Sequence, residues 1–480
     1  MSIKLYNSLS QSKEEFMPVH PKHVSLYVCG PTVYSEPHLG HAKTYISFDI
    51  ILRYFQFCDY KTFYVQNITD VGHLVDDLDE GEDKILKKAR EANQEPMAIA
   101  EYYARNYLDL MDELGLKRPD ITPRATGHIP EQLDAIKKLV EKGYAYEVNG
   151  SIYFDVSQYP GYGKLSNRTP EDMMSGTRVE TRSEKRNPND FALWKYAEPE
   201  HLMRWEDPWR GQGYPGWHTE CVVMSTKYLG DSFDIHGGGM DLKFPHHDCE
   251  IAQAHCLEQA FAKYWMHSNM LTINGQKMAK SLGNFITLRN ACDQYGPLAV
   301  RYFIAASHYR SVVDYSEAAL HSAKSALQRL HQVTRNLRQK LPENPKPKHQ
   351  HFQKFQEHFY QAMDDDFSTP QALAVLFDLT KEANTLLSEK EPNLDAVVDA
   401  EYLFSTMGGS ILGLIPETLE EETKAGEHLD QVMQLVIDLR KRFRNNKDYE
   451  SSDYIRDSLH EIGIQLKDGK EETFWHWTNK

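Results

Sequence analysis

Two short strings in this sequence carry the residue types that stabilise phosphate groups. His38 and His41 flank Gly40, after a predicted strand and at the start of a predicted helix, where free backbone N–H groups attract anions. Gly40 has no side chain, so an adenine ring can lie against the backbone there. Lys277 and Lys280 lie far downstream, on a glycine-flanked loop that could close over a triphosphate.

Each string has a simpler interpretation when it is taken alone. H-x-G-H is equally compatible with a structural turn whose histidines cap a helix, and K-x-x-K is most often a solvated loop. Because both strings occur in one chain, on either side of a predicted insertion, they favour phosphate binding during an in-line displacement.

Metal-ligating residue types occur close to the first of these strings. Cys29 ends the first predicted strand, Cys221 lies in a predicted helix, and His246 and Glu250 share one helix face at a spacing of four. Thiolates, an imidazole and a carboxylate suit tetrahedral zinc. The alternative is that the cysteines are small buried hydrophobic residues. Nearby donors could compete for a ligand position: His218, His247, Cys249 and Cys256.

The elements that must position these residues form a βαβ pattern. Residues 23–29 and 61–65 predict strands, and apolar side chains recur at helical spacing over residues 41–57 between them. Strand character returns at 151–155 and at 264–273. Further helices are predicted at residues 82–93, 95–114, 129–141, 217–229 and 246–262.

The remaining regions predict an insertion and a helical C-terminal third. Residues 158–215 are rich in Gly, Pro, Asn, Arg and Trp, which predicts irregular loops that split a parallel sheet into two halves. A long helix over 316–341 ends in a proline-rich linker, and residues 351–413 predict a small bundle. Acidic residues 417–422 then precede a helix pair, at 430–442 and 448–462, and an aromatic tail.

Composition excludes several classes of protein. The 480 residues include six cysteines without a C-x-x-C pair, which excludes a disulfide scaffold and ordinary zinc knuckles. No stretch resembles a signal peptide or reaches the ~18 apolar residues of a membrane span, so we expect a cytoplasmic protein with no membrane partner. The net charge of −16 argues against non-specific nucleic-acid binding, so any such contact must use local basic patches.

The strings HLGH and KMAKS resemble the HIGH and KMSKS signatures of class I aminoacyl-tRNA synthetases. Longer strings resemble the cysteinyl-tRNA synthetase family specifically and occur in the expected order: CGPTVY, NITD, GWHTEC, HGGGMD and FPHHDCE. The resemblance covers most of residues 1–315. It implies an α/β fold with a Rossmann-like parallel sheet split by an insertion, then a helical bundle and a small C-terminal anticodon-binding domain.

The resemblance also implies a role for each candidate residue. Catalysis would use His38, His41, Lys277 and Lys280, and ATP would also contact Gly40, Gly238 and Asp241. The amino acid would contact Thr69, Trp217 and His236. One Zn²⁺ would be held by Cys29, Cys221, His246 and Glu250, and Mg²⁺ would accompany ATP.

The implied reaction has two steps and three substrates. Cysteine reacts with ATP to give cysteinyl-adenylate and pyrophosphate, and the acyl group then passes to the terminal ribose of tRNA(Cys), at the 2′ position first. A zinc–thiolate bond would select cysteine over serine, because a hydrophobic pocket alone separates such near-isosteres weakly. We therefore expect no editing domain, and we expect a monomer.

The implied domains assign the C-terminal third to RNA. They are a first catalytic half at 1–120, an insertion at 121–215, a second catalytic half at 216–300, a stem-contact region at 301–345, a bundle at 346–418 and an anticodon-binding domain at 419–480. Basic runs at 335–340, 346–351 and 440–447, together with Trp475 and Trp477, could contact RNA. For any one run, a solvated helix face is the simpler explanation. The tail at 470–474 departs from the family pattern.

Three other functions compete with this interpretation. A ligase that passes cysteine to a small amine would lack the domain at 419–480, and a non-catalytic RNA-binding descendant would have lost one of the signatures. Methionine, leucine or isoleucine enzymes share both signatures but would not be expected to place Cys29 beside the nucleotide turn.

Overall fold

Alternating strands and helices open the chain, as the predicted βαβ order requires. The computed structural model describes residues 2–72, 83–168, 184–277, 285–419, 424–468 and 473–477. The described strands are β1 (Lys4–Asn7), β2 (Ser12–Glu15), β3 (His23–Val28), β4 (Lys61–Gln66), β5 (Ala145–Val148), β6 (Ser151–Phe154), β7 (Phe191–Tyr196), β8 (Trp205–Glu206), β9 (Gln212–Pro215), β10 (Ser232–Gly239), β11 (Phe261–Ser268), β12 (Leu271–Ile273), β13 (Gln276–Lys277), β14 (Val313–Tyr315), β15 (Ile464–Asp468) and β16 (Thr473–Trp477).

Helices occupy most of the remaining described chain. They are α1 (Leu39–Phe57), α2 (Lys84–Ala92), α3 (Pro96–Glu113), α4 (Ile129–Glu141), α5 (Trp217–Leu229), α6 (His246–Cys256), α7 (Leu288–Tyr295), α8 (Pro297–Ala305), α9 (Glu317–Arg338), α10 (Gln353–Asp364), α11 (Thr369–Ser388), α12 (Leu394–Leu403), α13 (Lys424–Asn445) and α14 (Tyr449–Glu461). Among the described residues, none of the helices combines the length and apolar character needed to cross a bilayer.

A parallel sheet in the order β11-β10-β3-β4 confirms the predicted α/β fold. Helix α1 connects β3 to β4 on one side, and α6 connects β10 to β11 on the other. Strands β3 and β10 are neighbours, although their connections leave in opposite directions. In such sheets the crevice for ligands opens at the carboxyl ends of these two strands. Cys29 and Gly239 lie there.

The carboxyl-terminal halves of the strands in this sheet are buried because helices cover both faces. Leu26, Tyr27 and Val28 of β3 and Ile235 of β10 are all buried, so the sequence shows an apolar run rather than an alternating pattern. Helix α1 is also buried over most of its circumference. At its N-terminus His38, Gly40 and His41 are only half-buried, so the HLGH string lies where the buried helix approaches the surface.

The insertion contains a second sheet, so the prediction of irregular loops over 158–215 is wrong at β7, β8 and β9. Strands β5 to β9 form an antiparallel sheet in the order β5-β6-β7-β9-β8. The central strand β7 (FALWKY) is buried from Phe191 to Trp194, so it lacks the alternation that marks a half-buried strand. Its short partners β8 and β9 are too brief to give a periodic signal.

Helix α6 is also shorter than the predicted helix over 246–262. It ends at Cys256, and β11 begins at Phe261. Glu258 and Phe261 adopt positive φ values of 64° and 60°, which break the helix without a glycine or a proline. The chain contains no punctuating residue there that could have signalled the break.

The predicted helical bundle is present after the long helix α9. Helices α9 to α12 pack on one another, and a π-helical segment, Phe404–Ile411, continues α12. Arg338 of α9 donates from Nε to Glu401 at 2.9 Å and from Nη1 to the carbonyl of Pro416. This basic residue of the 335–340 run therefore has a structural partner.

The chain divides into two compact units, Met1–Pro416 and Glu417–Lys480. In the second unit, α13 and α14 precede a hairpin in which Trp475 pairs with Leu466 and Trp477 with Ile464. The two tail tryptophans are therefore strand residues. The finer domain boundaries given above stay predictions.

Asp399 ties the linker after α9 to the bundle. Its buried carboxylate accepts hydrogen bonds from the backbone N–H groups of residues 348–351, at 2.6 to 3.1 Å, and from Nδ1 of His351 at 3.0 Å. Burial alone would raise the pKa of Asp399, but the hydrogen bonds from His351 and its neighbours lower it to about 2. The ionised carboxylate organises a segment that has no regular secondary structure.

We predict that Asp399→Asn destabilises the protein by about 1–3 kcal/mol at neutral pH, because an amide accepts these hydrogen bonds less strongly than a carboxylate. Since the native pKa lies below the ordinary value of about 3.9, the difference should persist above pH 4 and disappear as the pH falls toward 2. Denaturant unfolding across this pH range measures it. Asp395→Asn, which removes an exposed pair with Lys348, is the control and should cost less than about 1 kcal/mol.

Candidate functional site

The HLGH string forms the first turn of α1. His38 is the N-cap: its Nδ1 accepts the N–H of Gly40 at 3.1 Å, and its own backbone N–H donates to Nδ1 of His41 at 3.1 Å. The two imidazole rings stack with centroids 3.8 Å apart. His38 and His41 therefore do cap the helix, as the simpler interpretation of H-x-G-H predicts. Both capping hydrogen bonds use Nδ1 of an imidazole ring.

The capping hydrogen bonds fix the tautomer of both histidines. Each Nδ1 accepts a backbone N–H, so in the neutral ring the proton must lie on Nε2. Burial, and secondarily the neighbouring His38, lower the pKa of His41 well below its usual range. Two neutral Nε2–H donors therefore stand beside a helix N-terminus, which suits a developing negative charge.

The described chain that follows the second signature packs against the first signature. Strand β13 brings the backbone to Lys277, whereas Lys280 lies outside the described residues. At the other end, Thr287 forms a bridge to His38, Leu288 donates its N–H to the carbonyl of Pro37 at 2.8 Å, and Phe285 meets the ring of His38 edge-on. The described flank after KMAKS is thus packed against HLGH.

The candidate metal ligands converge from three separate elements. Cys29 follows β3, Cys221 lies in α5, and His246 and Glu250 lie one turn apart in α6. All four are buried, and their donor atoms all lie within 4.8 Å of one another. The sequence places these residues far apart, so the fold alone assembles the cluster.

The spacing of the donor atoms fits a tetrahedral ion. Two sulfurs at ~2.3 Å from zinc would be ~3.8 Å apart. Sγ of Cys29 and Sγ of Cys221 are 3.8 Å apart, and Oε1 of Glu250 lies 3.7 Å from Sγ of Cys29 and 3.1 Å from Nε2 of His246. One carboxylate oxygen therefore serves the whole set.

The electrostatics of the cluster favour a bound cation. Burial raises the pKa of the Cys29 thiol well above its usual range, that of Cys221 to about 12, and that of Glu250, against the opposing effect of His236. The buried hydroxyl of Tyr27 faces the thiol of Cys221. A divalent cation would turn both thiols into thiolates and give that hydroxyl an acceptor. The residues fit Zn²⁺.

A second donor set shares two residues with the first. Cys29, His236, His247 and Glu250 also lie within the same distance limit. In this set His236 approaches Oε2 of Glu250 at 3.2 Å, whereas His247 lies 3.9 Å from Oε1, so no single carboxylate oxygen serves both imidazoles well. The first set has the better geometry and contributes two thiols.

The other competing donors lie outside both sets. Cys249 and Cys256 pack in the hydrophobic core between α6 and the insertion sheet. His218 contacts Nδ1 of His246 through its own Nδ1 at 3.0 Å, so it orients a candidate ligand rather than replacing it. His267 plays the same part for His247, at 2.9 Å.

Two of the predicted amino-acid contacts border the metal cluster. The indole of Trp217 stacks on the ring of His246 with centroids 4.2 Å apart. His236 is fully buried and stacks on Trp265 at 4.4 Å, with its Nε2 3.4 Å from Sγ of Cys29. Both residues therefore adjoin the candidate ligands, and their contacts with the amino acid stay predictions.

Thr69 joins the site through a partner that sequence reasoning missed. Its hydroxyl donates to the buried carboxylate of Glu220, which also accepts from Asn67 at 3.4 Å. Asn67 in turn accepts the N–H of Gly30 at 2.8 Å. This network connects the ends of β3 and β4 to the residue beside Cys221. The NITD string contained Asn67, but nothing in the sequence paired it with Glu220.

The glycines of HGGGMD are explained largely by packing. A Cβ on Gly237 would lie 2.3 Å from the ring of Phe48, and one on Gly238 would meet Leu242 and His247 at 2.9 and 3.0 Å. Asp241 lies in the 3-10 turn that follows β10. The contacts of Gly238 and Asp241 with ATP stay predictions.

Comparison with known proteins shows which families this chain resembles. A family model described as the tRNA synthetases class I (C) catalytic domain matches residues 15–325, and a DALR domain model matches residues 358–416. The cysteine–tRNA ligase of Chlorobium luteolum is 51% identical over 100% of both chains, and one from Thermus thermophilus is 47% identical over 99% of both. A structure of Mycobacterium tuberculosis methionyl-tRNA synthetase with methionyl-adenylate is similar in fold, with a TM-score of 0.60 at 15% identity over 82% of this chain and 92% of that one.

The parallel sheet, its insertion and the two signatures define a class I aminoacyl-tRNA synthetase. Sequence identities of 51% and 50% to cysteine–tRNA ligases, over 100% and 99% of this chain, then identify the family within this class. The chain belongs to the cysteine–tRNA ligase family.

We predict that the first donor set is the one that holds metal. Cys221→Ser and His246→Gln should lose bound zinc, because each leaves only three ligands, whereas His247→Gln should retain it. Metal content of the purified protein, measured by mass spectrometry, separates the two sets. Cys249→Ser, a buried cysteine outside both sets, is the control and should retain zinc.

Proposed function

We propose that this chain activates cysteine with ATP and transfers it to the 3′-terminal ribose of tRNA(Cys), and that it selects cysteine through zinc. One observation carries the proposal. A buried set of two thiols, an imidazole and a carboxylate lies at the carboxyl end of β3, and one of its thiols, Cys29, precedes His38 of HLGH by nine residues. This arrangement supports amino-acid selection and phosphate chemistry at one end of one strand.

The first step transfers the adenylyl group. A carboxylate oxygen of cysteine attacks the α-phosphorus of ATP, the bond to the bridging oxygen of pyrophosphate breaks, and cysteinyl-adenylate remains. The Nε2–H groups of His38 and His41 donate to the phosphate oxygens as negative charge develops, and Lys277 and Lys280 neutralise the leaving pyrophosphate together with Mg²⁺. No covalent enzyme intermediate is required.

The second step is acyl transfer to RNA. A hydroxyl of the terminal ribose attacks the carbonyl carbon of the adenylate, AMP leaves, and the 2′ position reacts first. The helical bundle and the second compact unit, Glu417–Lys480, would contact the tRNA. Lys441, Arg442 and Arg444 of α13 offer positive charge to the RNA backbone in a chain of net charge −16.

Selection of cysteine over serine would depend on the metal cluster. When bound, zinc supplies a soft Lewis acid that a substrate thiolate can ligate and that a protonated hydroxyl satisfies poorly. Trp217 and His236 would enclose the substrate side chain, and Glu220 would hold Thr69 in place. A separate editing site is then unnecessary, and we propose that the enzyme acts as a monomer.

We predict pyrophosphate exchange into ATP with cysteine, and exchange at least about 10³-fold weaker with serine or methionine, because a site that loses a required ligand bond rejects the analogue strongly. Cys29→Ser should abolish both exchange and zinc binding. Exchange with serine at a comparable rate would refute selection by the metal. The absence of exchange with any amino acid, in folded and zinc-loaded protein, would refute the function itself.

A second prediction concerns the tautomer of His38. In His38→Asn the side-chain oxygen still accepts the N–H of Gly40, so the helix cap is kept while the Nε2–H donor is lost. We expect kcat for exchange to fall about 10²–10³-fold with little change in thermal stability. His38→Gln, whose amide N–H can reach the position of Nε2, should recover part of the rate. Wild-type kcat in His38→Asn, with a loss only in His38→Gln, would assign His38 a capping role only.

A further inference from the structure

Lys43 lies two residues after HLGH, and its side chain points away from solvent. It is 1% exposed, and no carboxylate of the described residues pairs with it. Instead Nζ donates to the backbone carbonyls of Tyr309 and Ser311, at 3.1 and 2.5 Å. Burial lowers the pKa of this lysine to about 8. A buried cation held only by carbonyl dipoles is costly, so packing alone does not explain it.

The carbonyl groups that accept hydrogen bonds from Lys43 belong to segment 309–311, which also hydrogen-bonds to the chain just before β12. The N–H of Asn269 donates to the carbonyl of Tyr309 at 2.8 Å, and Nδ2 of Asn269 donates to the carbonyl of Arg310 at 2.8 Å. Shortly after this segment, β14 begins and pairs in parallel with β12. The carbonyl oxygen of Tyr309 therefore accepts hydrogen bonds both from Lys43 of α1 and from Asn269, which lies two residues before β12. Strand β12 leads toward the second signature.

The linkage continues to Lys277. Asp314 of β14 accepts from Oγ1 of Thr272 at 2.6 Å and from the N–H of Gly275 at 2.8 Å, which holds the turn between β12 and β13. Strand β13 ends at Lys277. Continuous hydrogen bonds and strand pairing thus join the helix that carries His41 to the residue that opens KMAKS.

We propose that Lys43 is a positioning residue that sets the distance between the two phosphate-binding signatures during adenylation. This inference rests on the proposed function. Lys43 contacts neither cysteine nor ATP. It holds segment 309–311 against α1, so that β12 and β13 keep the backbone of Lys277 at a fixed distance from His38 and His41. Misplacing a catalytic group by about 1 Å can cost about 10²-fold in rate, so a single tether can control the step.

The test compares Lys43→Met with the wild-type protein by pyrophosphate exchange, with rates normalised to active sites by adenylate burst. We expect kcat to fall about 10- to 100-fold, with KM for cysteine and zinc content unchanged. Single-turnover transfer from preformed adenylate to tRNA should keep its rate within about twofold, because pyrophosphate has already left. Lys142→Met is the matched control, since Lys142 also donates to a carbonyl, that of Cys256 at 3.4 Å, but lies outside this linkage.

Asn269→Ala tests the same linkage without touching Lys43. It should lower kcat in the same direction, and the double variant should be no slower than Lys43→Met, because both substitutions break one connection. Wild-type kcat in Lys43→Met or Asn269→Ala, an additive double variant, or equal loss in the transfer step would overturn the proposal. If Lys43→Met does not fold, Asn269→Ala decides alone. Absence of exchange in the wild-type protein would instead overturn the proposed function.

Discussion

A dry cluster of two thiols and a carboxylate cannot carry three negative charges unless a cation is present. Burial raises the pKa of Cys29, Cys221 and Glu250, so without metal the cluster retains protons. The surrounding fold is arranged around this constraint: β3, α5 and α6 each deliver ligands, and His218 orients one of them. Binding of the ion would therefore be coupled to the packing of three elements, and the free energy of binding contributes to the stability of the site.

The nucleotide site depends on the same strand end. Gly30 follows Cys29, and a Cβ there would lie 1.6 Å from the carbonyl oxygen of Asn67, so the chain turns toward α1 through a space that only glycine can occupy. Asn67 in turn donates hydrogen bonds to Thr69 and Glu220. A displacement of the candidate ligand Cys29 would move the first turn of α1 as well. In the proposed function, this turn therefore couples amino-acid selection to phosphate stabilisation.

Sequence patterns predicted the parts of the fold that leave a local signal. The periodicity of α1 and α4, the strands β3 and β4, and the i, i+4 spacing of His246 and Glu250 are all local, and the structure confirms each of them. In the insertion sheet, β6 gave a local signal at the predicted strand 151–155. Strand β7 gave none, because it is buried on both faces, and β8 and β9 are very short. Pairings such as Glu220 with Thr69, or Lys43 with Tyr309, join residues far apart in the chain. Only the tertiary fold brings these together, so periodicity and spacing could not have found them.

The insertion sheet has a structural role that bears on selectivity. Phe154, Phe191 and Trp194 share one hydrophobic cluster with Cys249 and Ala252 of α6, the helix that carries the candidate ligands His246 and Glu250. Because the sheet supports the helix that carries His246 and Glu250, it restrains the spacing of two ligands rather than providing a second pocket. Discrimination by a metal requires a rigid donor set, since a cluster that can rearrange also accepts a harder ligand. In the proposed function, an insertion that restrains α6 would serve the same end as an editing domain, by improving the first selection instead of correcting it.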